Sequence, residues 1–544
     1  MPIPGVFRSA LCRAVKDVSL SHRGRTACTS RSTRAPPCPR KVLQAATPGH
    51  LHSLPGSSFL GTPSLPSLRP ISMEASSSNG PRAAKKRRAD AAAASLAASL
   101  AVPHTVGPTV KVQGLTLTDH TFKVPLDHTG EMAGSIDVFV REVVATGRAE
   151  DLKLPYLVYF TGGPGFECPR PSESGGWLSA AVDKFRVLLL DQRGTGRSTP
   201  VTTSSVLARG DARQQAAYLQ NFRADSIVRD VELIRKSWLS ESVQLTTLGQ
   251  SFGGFCTLTY LSMAPEGLER CLITGGLSPV VSGCSADMVY SSLFNRVMTQ
   301  NAKYYQRFPQ DVQQVGKIVL YIKEQGGKVP LPGGGVLSAQ GLQWLGISLG
   351  FAGGMEQLHF LFETAFDGSG GLSHVFLRSF ENMLSVDTNP IYAILHESIY
   401  CQGAASNWSA NRMLQERHAD FNAVDAAKAG RPVLLTGEMI FPFLFDEIPS
   451  LKPLKEAANL LAEKSDWPQL YNVDVLRNNR VPVAAAAYYE DMYVEFVLSQ
   501  QTAEVVKGIR LWVTSEYMHS GIREDGARVF SRLMAMTDDE LPVR

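Results

Sequence analysis

Gly249-Gln250-Ser251-Phe252-Gly253 has the residue types of a nucleophile elbow, a strained strand-to-helix turn that lifts a serine hydroxyl clear of a sheet. Its flanks suit that turn. The short run Val243–Leu248 reads as a strand before it, and Gly254 and the apolar helix Phe255–Met263 follow. The same pattern recurs at Gly346-Ile347-Ser348-Leu349-Gly350, but no β-branched strand precedes that copy and its neighbourhood is helical. Ser251 is therefore the candidate nucleophile, and Ser348 reads as helix packing.

A serine hydroxyl attacks a carbonyl only when a base takes its proton and a carboxylate orients that base. With this elbow the chain order is serine, acid, histidine. Of the histidines after Ser251, His359, His374, His396 and His418 all precede the last two apolar runs. Only His519 comes after the final strand, where a loop can carry it over Ser251. The run Val481–Tyr488 leads to Glu490 and Asp491, neighbours that point to opposite faces, so one alone can reach the histidine. Asp491 is assigned. An oxyanion hole needs backbone N–H donors aimed at the developing charge. The Phe252 amide is one, and Gly163, in Thr161-Gly162-Gly163-Pro164-Gly165, is assigned as the other. This chemistry calls for no metal and no cofactor.

The elements that must hold these residues follow from periodicity. Val110–Leu117, Thr121–Val124 and Ile136–Val144 read as an antiparallel opening. Leu154–Phe160, Phe185–Asp191, Val243–Leu248 and Cys271–Gly275 are short apolar strands, and Arg223–Trp238 has helical spacing. That alternation predicts an α/β fold with a mostly parallel sheet covered on both faces. From 283 to 478 the pattern is helical, with Tyr304, Phe308, Val312, Val315, Ile318 and Tyr321 in one stretch, before Val481–Tyr488 and Ile509–Thr514 resume the sheet. The division expected is a leader at 1–102, an α/β core at 103–282 and 479–544, and a helical cap at 283–478.

The chain has 544 residues and a formal charge of +4, which averages two unlike parts. Residues 1–102 carry 15 Lys/Arg and 3 Asp/Glu, a net of +12, so the body carries −8. A leader rich in Arg and Ser and poor in acids reads as a transit peptide, for plastid or mitochondrion. The alternative is a cytoplasmic protein, if translation starts at Met73 or the leader carries no address. Lys85–Arg88 is a short basic run that reads as a solvated cluster, and no nucleic-acid partner is expected. No run of eighteen apolar residues suggests a membrane span. The eight cysteines form no C-x-x-C pair, so neither a zinc site nor a disulfide framework is expected.

Four blocks in order, Gly162–Gly165, Asp191–Ser198 (DQRGTGRS), Gly249–Gly254, and EDMYVEF with EYMHSGIREDG, resemble the proline iminopeptidases (prolyl aminopeptidases), serine peptidases of the α/β-hydrolase fold. FRADSIVRDVELIR, NPIYAILHESIYCQGAASNW, TGEMIFPFLFDE and LKEAANLLAEKSDW are similar to their larger, bacterial-type branch, and the likeness runs from about Leu115 to Leu533. The family signature HGGPG begins with His where this chain has Thr161. Since the oxyanion donors are backbone groups, the hole should survive that change. The resemblance implies release of N-terminal proline from short peptides through Ser251, His519 and Asp491 and a prolyl-enzyme intermediate. A free N-terminal amine is cationic and needs a carboxylate beside the serine. By similarity that role falls to Glu397 and Glu438, both in apolar, aromatic surroundings. Asp191 and Arg193 precede Ser251 and are expected to support their loop.

The competing readings are a broader aminopeptidase or an esterase on the same fold, and a non-catalytic binding protein. Ser251→Ala should abolish cleavage of proline-β-naphthylamide while Ser348→Ala leaves an active enzyme; the reverse outcome would remove Ser251 from the assignment.

Overall fold

The computed structural model describes residues 102–281 and 283–540. The basic leader, Lys85–Arg88 and Met73 lie outside the described residues. Nine strands form the main sheet: β1 (His104–Val112), β2 (Leu115–Pro125), β3 (Ser135–Ala145), β4 (Tyr156–Phe160), β5 (Arg186–Leu190), β6 (Leu245–Gln250), β7 (Leu268–Thr274), β10 (Val483–Tyr488) and β11 (Ile509–Thr514). Their spatial order is β1-β2-β3-β5-β4-β6-β7-β10-β11. β1, β2 and β3 pair antiparallel, β3 meets β5 antiparallel, and from β5 to β11 every neighbour is parallel.

Alternate residues of the central strands enter two separate cores, which is why these strands read as nearly continuous apolar runs. Val158 and Phe160 of β4 and Leu188 and Leu190 of β5 pack with Ile227 and Val231 of the helix Ala224–Ile234 and with Phe255 and Leu258 of the helix Phe252–Met263. Leu157, Tyr159, Val187 and Leu189 belong to the opposite core, with Leu178 of Gly176–Val182 and Phe530 and Leu533 of Gly526–Thr537.

Two local expectations change. The strand predicted over Val110–Leu117 is two strands, because the chain reverses at Gln113-Gly114, with Gly114 at φ +79° and Val112 opposite Leu115. The helical stretch containing Tyr304 and Tyr321 is also two elements, Ala286–Arg307 and Asp311–Glu324, broken at Phe308-Pro309. Pro309 cannot donate to a helix interior, so the apolar period continues through a break in the backbone. Between β7 and β10 the regular elements among the described residues are helices, the hairpin β8 (Lys328–Pro330) and β9 (Val336–Ser338), and an isolated bridge between Phe366 and Leu372.

The loop after β5 braces the sheet edge where the site forms. The buried Asp191 carboxylate accepts from the Cys168 N–H at 3.1 Å, from Arg170 at 2.8 and 2.5 Å, and from the Arg197 N–H at 2.9 Å. Arg193 is fully buried and donates to Asp230 at 2.7 and 2.6 Å, and to the carbonyls of Leu126 and Asn221 at 2.7 Å each. These are the supporting contacts anticipated for Asp191 and Arg193. Removing one member of a buried, hydrogen-bonded ion pair strands the other charge. Arg193→Ala should therefore lower stability by about 3–5 kcal/mol, read as a fall in the urea midpoint without a change of slope.

Candidate active site

β6 runs into the helix Phe252–Met263 with a single residue between them, Ser251. Its backbone is left-handed, φ 56° and ψ −125°, a conformation that a non-glycine residue holds only when its surroundings enforce it. The glycines around it explain how. A Cβ on Gly253 would lie 2.0 Å from the Phe160 carbonyl oxygen, and one on Gly254 would lie 2.4 Å from the Gly276 carbonyl oxygen. The helix thus starts in near contact with the ends of β4 and of the segment after β7, and only glycine permits that approach.

Because β4 lies beside β6, its loop is delivered to the serine. A Cβ on Gly162 would stand 3.0 Å from the Ser251 Cβ. Gly163 follows at φ +143°. Thr161, where the family signature has His, is tied through its backbone, its carbonyl accepting from Gln192 Nε2 at 3.0 Å. Phe252 is the first residue of its helix, so its N–H has no acceptor within the helix. Gly163 and Ser251 line one cavity of about 770 Å³, and Phe252 is the next residue along the elbow.

Asp491 and His519 lie just beyond the carboxyl ends of β10 and β11. His519 Nδ1 and Asp491 Oδ2 are 2.7 Å apart. The other carboxylate oxygen accepts the N–H groups of Tyr493 at 2.8 Å and Val494 at 3.0 Å, which fixes the plane of the carboxylate. The Tyr493 ring packs edge-on against the imidazole, centroids 4.6 Å apart. Burial disfavours the imidazolium, but the Asp491 carboxylate outweighs it and holds the His519 pKa above the ordinary value. His519 lines the same cavity as Ser251. Glu490, the neighbouring acid, faces away, accepting from Gln300 at 2.8 Å and pairing with Lys303. Of the other histidines, His359 bonds Asp311 at 3.0 Å, His418 stacks on Phe294, and His396 is buried against the Tyr392 ring with neither ring nitrogen hydrogen-bonded.

The two glutamates anticipated for the amine part company. Glu438 lines the cavity, where Tyr392 donates to its Oε1 at 2.7 Å. Burial raises its pKa to about 7, against the pull of His519 and the Tyr392 hydrogen bond. Glu397 is not among the cavity-lining residues. Its two oxygens accept the Ser409 and Ala410 N–H groups, each at 2.9 Å, at the start of the helix Ser409–Arg417. Burial raises its pKa to about 6 in spite of those bonds. Glu397 was expected to face the substrate; here it caps a helix start, and partners twelve and thirteen residues along the chain could not be foreseen from its own surroundings.

Sequence reasoning did not single out the aromatic walls. Trp344, Phe351, Tyr392 and Tyr493 line the cavity, as does Ser348 from the second glycine-flanked motif. The glycines of that motif pack closely, Gly346 against the Thr436 carbonyl and Gly350 against the Tyr493 ring, but Ser348 itself, expected in helix packing, stands in the cavity wall. The available signal for Tyr493 was its place in EDMYVEF, directly after the acid.

A mostly parallel sheet, a serine at the turn after β6, and an Asp–His pair beyond β10 and β11 define an α/β hydrolase. Residues 155–328 match the model of the alpha/beta hydrolase fold family. The chain is 46% identical over 429 residues to a proline iminopeptidase of Aeromonas sobria, covering 79% of this chain and 98% of that protein. It is 36% identical over 428 residues to a proline iminopeptidase of Aspergillus aculeatus, covering 77% of this chain and 93% of that protein. The chain belongs to the proline iminopeptidase family. Among the described residues no helix is long and apolar enough to cross a membrane, and no three His, Cys, Asp or Glu side chains are grouped to hold a metal ion.

Replacing Asp491 by Asn keeps the shape but leaves His519 in the wrong tautomer, so turnover should fall about 10⁴-fold with little change in melting temperature. A loss below tenfold would separate Asp491 from the chemistry.

Proposed function

We propose that this chain releases N-terminal proline from short peptides by acyl transfer through Ser251. His519 takes the Ser251 proton as the hydroxyl attacks the prolyl carbonyl, and Asp491 steadies the imidazolium that forms. The Gly163 and Phe252 amides receive the developing oxyanion. His519 then returns the proton to the leaving amine, and water, activated by the same histidine, hydrolyses the prolyl ester.

The observation that carries this reading over a general esterase is Glu438. An ester substrate offers no cation, and a buried carboxylate in the wall of its cavity would only cost free energy. A substrate amine placed against Glu438 supplies the missing positive partner and restores the charged form. The aromatic rings of Tyr392 and Tyr493 give the pyrrolidine ring apolar faces to pack on. Glu397, by holding the start of Ser409–Arg417, positions the cap from outside the cavity.

Both titrations act in one direction. Glu438 must be ionised to hold the amine and loses its charge as pH falls through about 7, and His519, its pKa raised, must be neutral to act as base. kcat/KM for proline-β-naphthylamide should therefore fall on the acid side of neutrality, as the free-enzyme profile reports. Glu438→Gln should lower kcat/KM about 10²-fold, mainly through KM, and leave an acid limb set by His519 alone. Unchanged proline release by that variant would favour an esterase or a broader aminopeptidase.

A further inference from the structure

Most charges lining the cavity are already satisfied. Glu167 pairs with Arg170 at 3.2 Å, and Arg170 also donates twice to the buried Asp191, while Glu438 is the carboxylate assigned above to the substrate amine. Arg523 stands apart. It has no ion pair among the described residues, and its hydrogen bond to Gln250 Oε1 is 3.5 Å long, at the limit of such a bond. It is solvent-exposed, lines the cavity, and lies on the short turn Gly521–Glu524 directly after His519.

We propose that Arg523 binds the free α-carboxylate of the residue that leaves, so that prolyl dipeptides are preferred to longer or C-terminally blocked substrates. The argument rests on the acyl-transfer reading. His519 must hand its proton to the leaving nitrogen, so that nitrogen lies against the imidazole and its residue lies toward the segment that follows His519. In a dipeptide the carboxylate carbon is two bonds from that nitrogen, about 2.5 Å. One more residue turns that carboxylate into a neutral amide and carries the charge up to about 3.6 Å further along the chain. A guanidinium matches a carboxylate in two parallel hydrogen bonds, and Arg523 gives up no ion pair and only one long hydrogen bond when it makes them. The nearness of Arg523 to the base is also felt at His519, whose protonation its charge opposes.

The test compares prolylglycine with prolylglycinamide, which differ only in that carboxylate, in the wild-type enzyme, Arg523→Gln and Arg523→Lys. The acid-to-amide ratio of kcat/KM should fall about tenfold in Arg523→Gln, through KM rather than kcat, and recover in part with Lys. A ratio unchanged by the substitution, or an equal loss on both substrates, would overturn the proposal. If the wild-type enzyme does not turn over proline-β-naphthylamide, the prolyl reading fails separately. The same acid–amide comparison then runs on whichever aminoacyl dipeptide is cleaved, because it depends on the leaving residue and not on the one released.

Discussion

The left-handed backbone of Ser251 is the constraint on which the rest of the site depends. It is maintained by contact: the first turn of the helix Phe252–Met263 lies against the Phe160 carbonyl on one side and the Gly276 carbonyl on the other, with no room for a Cβ at Gly253 or Gly254. The same contact brings the loop 161–165 to the serine, since that loop begins where β4 ends. Parallel pairing of β4, β6, β7, β10 and β11 puts all their carboxyl ends on one sheet edge. In such sheets that edge is where a site can be assembled from residues far apart in the chain.

Around the elbow, buried charges are sorted by whether they have a partner. Asp191 is neutralised by Arg170, Asp230 by Arg193, and Asp491 is bonded to His519 and two backbone amides. These groups stiffen the loops and the base. Glu438 differs, because a single phenol is its only hydrogen-bond donor among the described residues, and burial then drives its pKa toward neutrality. A carboxylate left short of donors in a cavity wall is a group waiting for a cationic ligand. On the turn that follows His519, Arg523 is a cation short of acceptors. The two unsatisfied charges match the two ends of a zwitterionic dipeptide.

The candidate nucleophile, acid and base could be named because each is specified by its immediate neighbours and by chain order. Glycines at 249, 253 and 254 announce a close helix–strand approach, and His519 is the one histidine after the last strand. That only one of Glu490 and Asp491 could serve was also local, since adjacent residues diverge; which one is visible in the fold, with Asp491 on His519 and Glu490 on Gln300 and Lys303. The cap was less legible. Its apolar period runs unbroken past Pro309, and its hairpin β8–β9 is too short to mark a strand pattern.

What the sequence determined by itself was the class of chemistry and the order of the sheet elements, because those rest on short-range backbone requirements and on a period of apolar residues. The tertiary structure alone decided the separate fates of Glu397 and Glu438. Both sit in similar apolar text, yet one meets the free N–H groups of a helix start and the other meets an open cavity. It also decided that the second glycine-flanked serine, Ser348, stands in the cavity wall beside the rings that enclose it. Partners of a buried polar group come from distant parts of the chain, and no local pattern encodes which of them will be missing.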